Sequence, residues 1–268
     1  MATNRRTSNP TIIDALKRKK SVMSAVILRD MRTRFFNHGL GFLVVIMWPL
    51  AHMMILLLIA RLTGRNTPYG ESLNVFFATG LIPTLAFMYV SRFMSYSMIL
   101  NRPMLAFPLV KPFDIMAGRA FLEIIAACLT LATMLTILTL AGEDPIPFDI
   151  EQAVLAYMSV LLLAVGVGTL VGVIVTFFPP FVTVYALSLI LIYLSSGTML
   201  VVSQLPDQIA IPLSYNPVTG VVEWMRTAYF PTYSDRLVSK PYIIGFGLGA
   251  LFLGLLTERV LRSRVLEG

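Results

Sequence analysis

Glu223 and Arg226 are the acid and base that stand out in this 268-residue chain, set three apart in NPVTGVVEWMRTAYFP, residues 216–231. Groups at that spacing share one side of a helix and can pair. Asn216 followed by Pro217 reads as a helix start. Val218, Val221, Val222 and Met225 then form an apolar stripe on the other side. Stopped by Pro231, the segment reaches about 21 Å, short of the roughly 30 Å of a hydrocarbon core. Two placements fit. One is a re-entrant piece that dips in from the outer face and returns, with the ion pair near the water boundary; the other is an amphipathic helix on the surface. Arg119 and Glu123, one turn apart in another apolar run, make a second pair that reads as structural.

Other chemistry is missing. No GxxxxGK[ST] occurs, so any ATP is hydrolysed on another polypeptide. HExxH is absent, and His38 and His52 have no second ligand nearby in sequence, which excludes a metalloprotease. Ser72, in GES at residues 70–72, has no base beside it and reads as no nucleophile. The single cysteine, Cys128, lies in an apolar run, which argues against a disulfide framework or a soft-metal cluster. Intramembrane carboxylates, the usual couplers of proton or sodium flow, are nearly missing, which weighs against a secondary transporter or channel.

The elements that must carry these groups are membrane helices. Hydrophobic residues make up 57% of the chain and charged ones 13%, and 152–206 holds no Asp, Glu, Lys or Arg. The fold class expected is an all-α membrane protein with six spans near 39–60, 72–98, 115–141, 152–176, 181–201 and 241–258. No removed signal peptide is expected, because the first long apolar run begins near Gly39 after nine basic residues. Both termini then share a side that holds sixteen Lys and Arg against five opposite, so that side is cytoplasmic. This asymmetry, with attraction to anionic lipid, accounts for the net charge of +7 without invoking nucleic acid. Within 9–37, Met23, Ile27, Met31 and Phe35 recur every fourth residue, as on an interface helix. The loop 101–113 packs three prolines among apolar residues, and 203–240 is too apolar for a solvated loop. Glycines four apart in GVGTLVG (166–172) and GFGLG (245–249) invite close helix packing. The organisation expected is a cytoplasmic segment 1–38, a transmembrane domain 39–260 and a cytoplasmic tail 261–268.

In order along the chain, RDMRTRF before the first span, WPLAHMM at 48–54, VKPFDIMAGRAFLE at 110–123, FFPPFVTVYAL at 177–187 and YNPVTGVVEWMR at 215–226 resemble the ABC-2 type permeases. Within them the chain is most similar to the inner-membrane permeases that export capsular polysaccharide. The likeness runs over about residues 22–262 and rests on the ordered set of segments. It implies six spans, an N-terminal interface helix, a re-entrant hairpin between the fifth and sixth spans, and a bacterial inner-membrane location.

The resemblance implies an assembly of two copies of the chain with two ABC ATPase subunits, which carry the ATP and magnesium that this chain does not. It places Arg102, Met104, Leu105 and Phe107 against the ATPase as a coupling loop; the bland alternative is a loop resting on lipid headgroups. It implies a lipid-linked, anionic polysaccharide as cargo, with Arg32, Arg34 and His38 attracting its acidic groups at the entrance and Trp48, His52, Tyr185 and Tyr193 touching sugar. For the arginines the alternative is ordinary positive-inside charge. Asn216, Pro217, Glu223 and Arg226 would form the re-entrant gate. A periplasmic adaptor and an outer-membrane export protein would complete a capsule system; O-antigen, teichoic acid or a small drug are the other cargoes of such permeases.

Overall fold

The computed structural model describes residues 12–34, 41–64 and 66–267. Among them it is helical, with no strand: α1 Ile12–Arg34, α2 Gly41–Leu62, α3 Leu73–Ser95, α4 Ser97–Leu100, α5 Pro112–Leu140, α6 Ile150–Phe177, α7 Phe181–Ser195, α8 Asp207–Ser214, α9 Pro217–Tyr229 and α10 Lys240–Glu267. Local chemistry sets the ends. Ser72 Oγ accepts the Val75 N–H at 3.1 Å, so the serine of GES caps α3. Asp149 Oδ1 caps α6 in the same way through Gln152 N at 3.0 Å. Pro179 and Pro180 cannot extend α6, and the chain turns and restarts as α7 at Phe181.

Five helices among the described residues are long and apolar enough to cross a membrane: α2, α3, α5, α6 and α10. The stretch expected as the fifth span, α7, has 15 residues and reaches only about 22 Å. From Ser196 the chain leaves the helix, with Gly197 at a φ of 75°, a conformation that costs a residue with a Cβ. α3 is the most enclosed of the spans, whereas α2 and α10 leave most of their surface open.

α6 lies between α3 and α10, and its glycines let both come close. A Cβ on Gly166 would sit 2.4 Å from the Gly247 carbonyl oxygen of α10, and one on Gly168 would sit 2.4 Å from Met94 Cβ of α3. In GFGLG the four-apart pair Gly245 and Gly249 meets nothing within 4 Å. Gly247 and Gly254 are the ones that approach α6, since seven residues complete two helical turns and return to one face.

α1 lies along α5 and the α4 region. Its buried line runs through Val26 and Asp30, with Met23, Ile27 and Met31 half-buried beside it. Phe35 lies outside the described residues. A small apolar cluster of Val26, Met98, Met104, Ile115, Met116 and Val173 fills this end of the molecule, apart from the main core.

Candidate functional site

Three regions carry the residues singled out by sequence. The first is the loop 101–113. Pro103 and Pro108 keep it from forming an α-helix, and it folds into tight turns in which Met104 N donates to Asn101 O, Phe107 N to Met104 O and Val110 N to Phe107 O. Of Arg102, Met104, Leu105 and Phe107, the residues that the resemblance sets against the ATPase, Arg102 and Phe107 are exposed. Met104 is 6% exposed and plugs the small apolar cluster, and Leu105 packs half-buried against it. The exposed apolar tip is Phe107 with Leu109, 63% and 71% exposed. Leu109 is the member of this tip that the loop's composition alone does not single out.

The second region is aromatic. His52 of α2 lies with its Nδ1 3.2 Å from the Tyr89 hydroxyl of α3, and its ring centroid is 6.2 Å from that of Tyr193 of α7. Tyr89 also stacks on Phe93. Trp48, one turn before His52, projects into the open at 66% exposure. Tyr185 does not join this surface: it is buried in the main core, two turns from Tyr193 on the same helix. Of the four residues that the resemblance sets against sugar, His52 and Tyr193 lie together, Trp48 is exposed one turn away, and Tyr185 is inside. Tyr89 is the member that sequence reasoning missed. Arg32 is exposed on α1; the side chain of Arg34, and His38 altogether, lie outside the described residues.

The third region is built on α9. Asn216 Oδ1 accepts the Val218 N–H at 3.0 Å, and Asn216 Nδ2 donates to the Ile192 carbonyl at 3.0 Å and to Ser195 Oγ at 2.9 Å. Thr219 Oγ1 donates to the Ser195 carbonyl at 2.8 Å. The start of α9 is therefore stitched to the end of α7, with Pro217 in the first turn where no backbone donor is needed.

Glu223 and Arg226 are both wholly buried, as are Val218, Val221 and Val222 on the apolar stripe. The helix is enclosed on both faces, so protein atoms and not solvent surround the pair. Arg226 Nη1 donates to the Leu200 carbonyl at 2.6 Å and Nη2 to the Thr198 carbonyl at 2.9 Å, while Phe76 lies under the guanidinium at 4.4 Å. Gly80 of α3 leaves the room, since a Cβ there would lie 3.0 Å from Thr198 Cα and 3.1 Å from Arg226 Nη2. Glu223 Oε1 accepts from the Tyr233 hydroxyl at 2.7 Å and stands 3.6 Å from Arg226 Nη1. Burial pushes the Glu223 carboxyl above its usual pKa range, opposed by the Tyr233 hydroxyl and the Arg226 charge.

Among the described residues no group of His, Cys, Asp and Glu is placed to hold a metal ion. What the side chains can do is hold non-helical backbone inside an apolar bundle. There the carbonyls after α7 need donors, and a guanidinium fork supplies two.

No protein-family model matches the chain. It is similar over its length to curated proteins. The polysialic acid transport protein KpsM of Escherichia coli is 32% identical over 248 residues, covering 92% of this chain and 96% of the relative. The capsule polysaccharide export inner-membrane protein CtrC of Neisseria meningitidis is 24% identical over 91% of this chain and 92% of its own. BexB of Haemophilus influenzae, of the same description, is 22% identical over 87% and 88%.

Proposed function

The chain belongs to the capsule polysaccharide export inner-membrane proteins, and from that premise we propose that it is the permease subunit of an ATP-driven exporter of lipid-linked capsular polysaccharide. The observation that carries this reading is the likeness to capsule exporters over 87–92% of the chain. The chain is a multi-pass inner-membrane protein. ATP and magnesium bind on separate ATPase subunits, in keeping with the missing phosphate loop. Two copies of the chain and two ATPases assemble, and a periplasmic adaptor and an outer-membrane export protein continue the path.

In this reading α7 with the segment 196–201 is the fifth of six spans and α10 the sixth. The non-helical end of the fifth is tolerated because Arg226 and the α9 start satisfy its carbonyls. α8 and α9 form the re-entrant hairpin, both termini are cytoplasmic, and α1 lies on the inner surface. Phe107 and Leu109 dock on the ATPase, with Met104 as the anchor that keeps the tip in place. Arg32, with Arg34 and His38, draws the anionic cargo in, and the Trp48, His52, Tyr89 and Tyr193 surface meets sugar rings, which stack on aromatic faces.

The deciding experiment co-reconstitutes the chain with its ATPase in vesicles and follows a defined lipid-linked oligosaccharide. Movement that needs both subunits and ATP is expected. Movement by the chain alone under an ion gradient would replace this reading with a secondary transporter.

A further inference from the structure

Both ends of the loop 101–113 are tied to α1. Asn101, 2% exposed where the loop begins, donates Nδ2 to the Ser97 carbonyl at 3.1 Å and to Asp30 Oδ1 of α1 at 3.5 Å. Asp114, where the loop ends, pairs with Lys19 of α1 and accepts the Lys111 N–H at 3.0 Å. Between them Met104 shares its apolar cluster with Val26 of α1. Behind all three stands Arg119 of α5, 1% exposed. Its Nη1 donates to Asp30 Oδ2 at 2.7 Å, its Nε lies 3.0 Å from Glu123 Oε1, and Phe93 lies 5.6 Å beneath the guanidinium. One residue earlier, α1 and α5 nearly touch: a Cβ on Gly118 would meet Val26 Cγ1 at 3.1 Å.

A buried ion cluster adds little stability over apolar residues of the same volume, because desolvation offsets the attraction. What a planar guanidinium adds is a fixed orientation between the groups it joins. We propose that Arg119 is a positioning residue that latches α1 to α5 and to the loop, so that the three move as one body and displacement of the loop is delivered to α1. The inference rests on the reading of 101–113 as the ATPase-facing loop. It makes α1, which carries the exposed Arg32, the first part of the permease to feel the ATPase, instead of a passive surface anchor.

The test uses Val26→Cys with Gly118→Cys in a Cys128→Ser background. In the permease alone, held in lipid nanodiscs, the disulfide should form rapidly with Arg119 present and about tenfold more slowly with Asp30→Asn or Arg119→Ala. Equal rates overturn the latch. In vesicles with the ATPase, Asp30→Asn should leave ATPase binding and hydrolysis in place while glycolipid moved per ATP falls about tenfold. Oxidising the cysteine pair in that background should restore the ratio, and reduction should remove it again. An unchanged ratio in Asp30→Asn, or no recovery on oxidation, overturns the latch. A wild-type complex that moves nothing on ATP rejects the exporter reading instead, and the disulfide rates still decide the latch on their own.

Discussion

At the α1 end and at the α9 end the chain buries an arginine one turn from a glutamate, Arg119 with Glu123 and Arg226 with Glu223. Their partners differ. Arg119 reaches carboxylates, one on its own helix and one on α1, so it joins two elements distant in sequence. Arg226 gives its two terminal nitrogens to the carbonyls of Leu200 and Thr198, while its neighbouring carboxylate is engaged by Tyr233. The first arginine ties helices together; the second substitutes for the hydrogen bonds that the backbone lost when α7 ended. Two pairs that look alike in sequence therefore have different failure modes, set by what lies opposite each guanidinium.

The comparison can be broken most sharply at Arg226. Arg226→Ala strands two carbonyls and Glu223 in an apolar interior, and should destabilise the chain by about 3–5 kcal/mol, read by thermal unfolding of the detergent-solubilised protein. Arg226→Lys should recover little of this, since an ammonium does not reproduce the two-pronged donor; a lysine variant as stable as the wild type would refute the role given to the carbonyls. Met104→Ala, which empties the cluster beneath the loop, should cost about 2–5 kcal/mol by the same measurement. Glu223→Ala should cost less than Arg226→Ala, about 1–3 kcal/mol, because the carboxylate holds Tyr233 and not the carbonyls. The double variant should lie close to Arg226→Ala alone, and full additivity would mean that the two side chains act separately. Smallest in stability is the change of Phe107 and Leu109 together to aspartate, within about 0.5 kcal/mol because both are exposed. Its readout is copurification of the ATPase, which should be lost; undiminished copurification would leave the tip without its docking role.

Span positions were legible to within a few residues. The expected 152–176 is α6 at Ile150–Phe177, and 241–258 falls inside α10 at Lys240–Glu267. The start of α9 at Asn216 and Pro217 was equally readable, because capping acts over three residues. The inward turn of Met104 was not readable, since an apolar residue in an apolar loop faces in or out according to what packs beneath it. Tyr185 and Tyr193 raise the same difficulty: α7 is apolar on every side, so its pattern does not reveal which tyrosine enters the core.

Hydropathy, breakers and caps are sums over neighbours in the chain, and from them alone follow an all-helical membrane protein, the location of its spans, and a short helix beginning at Asn216. The partners of Asp30, His52 and Arg226 lie 89, 37 and about 28 residues away, on elements whose mutual placement no local sum contains. Tertiary packing decided that Glu223 and Arg226 are interior, that Asp30 meets Arg119, and that Tyr89 meets His52. A buried charge or hydroxyl takes the nearest complementary group in space, and only the assembled bundle determines which group that is.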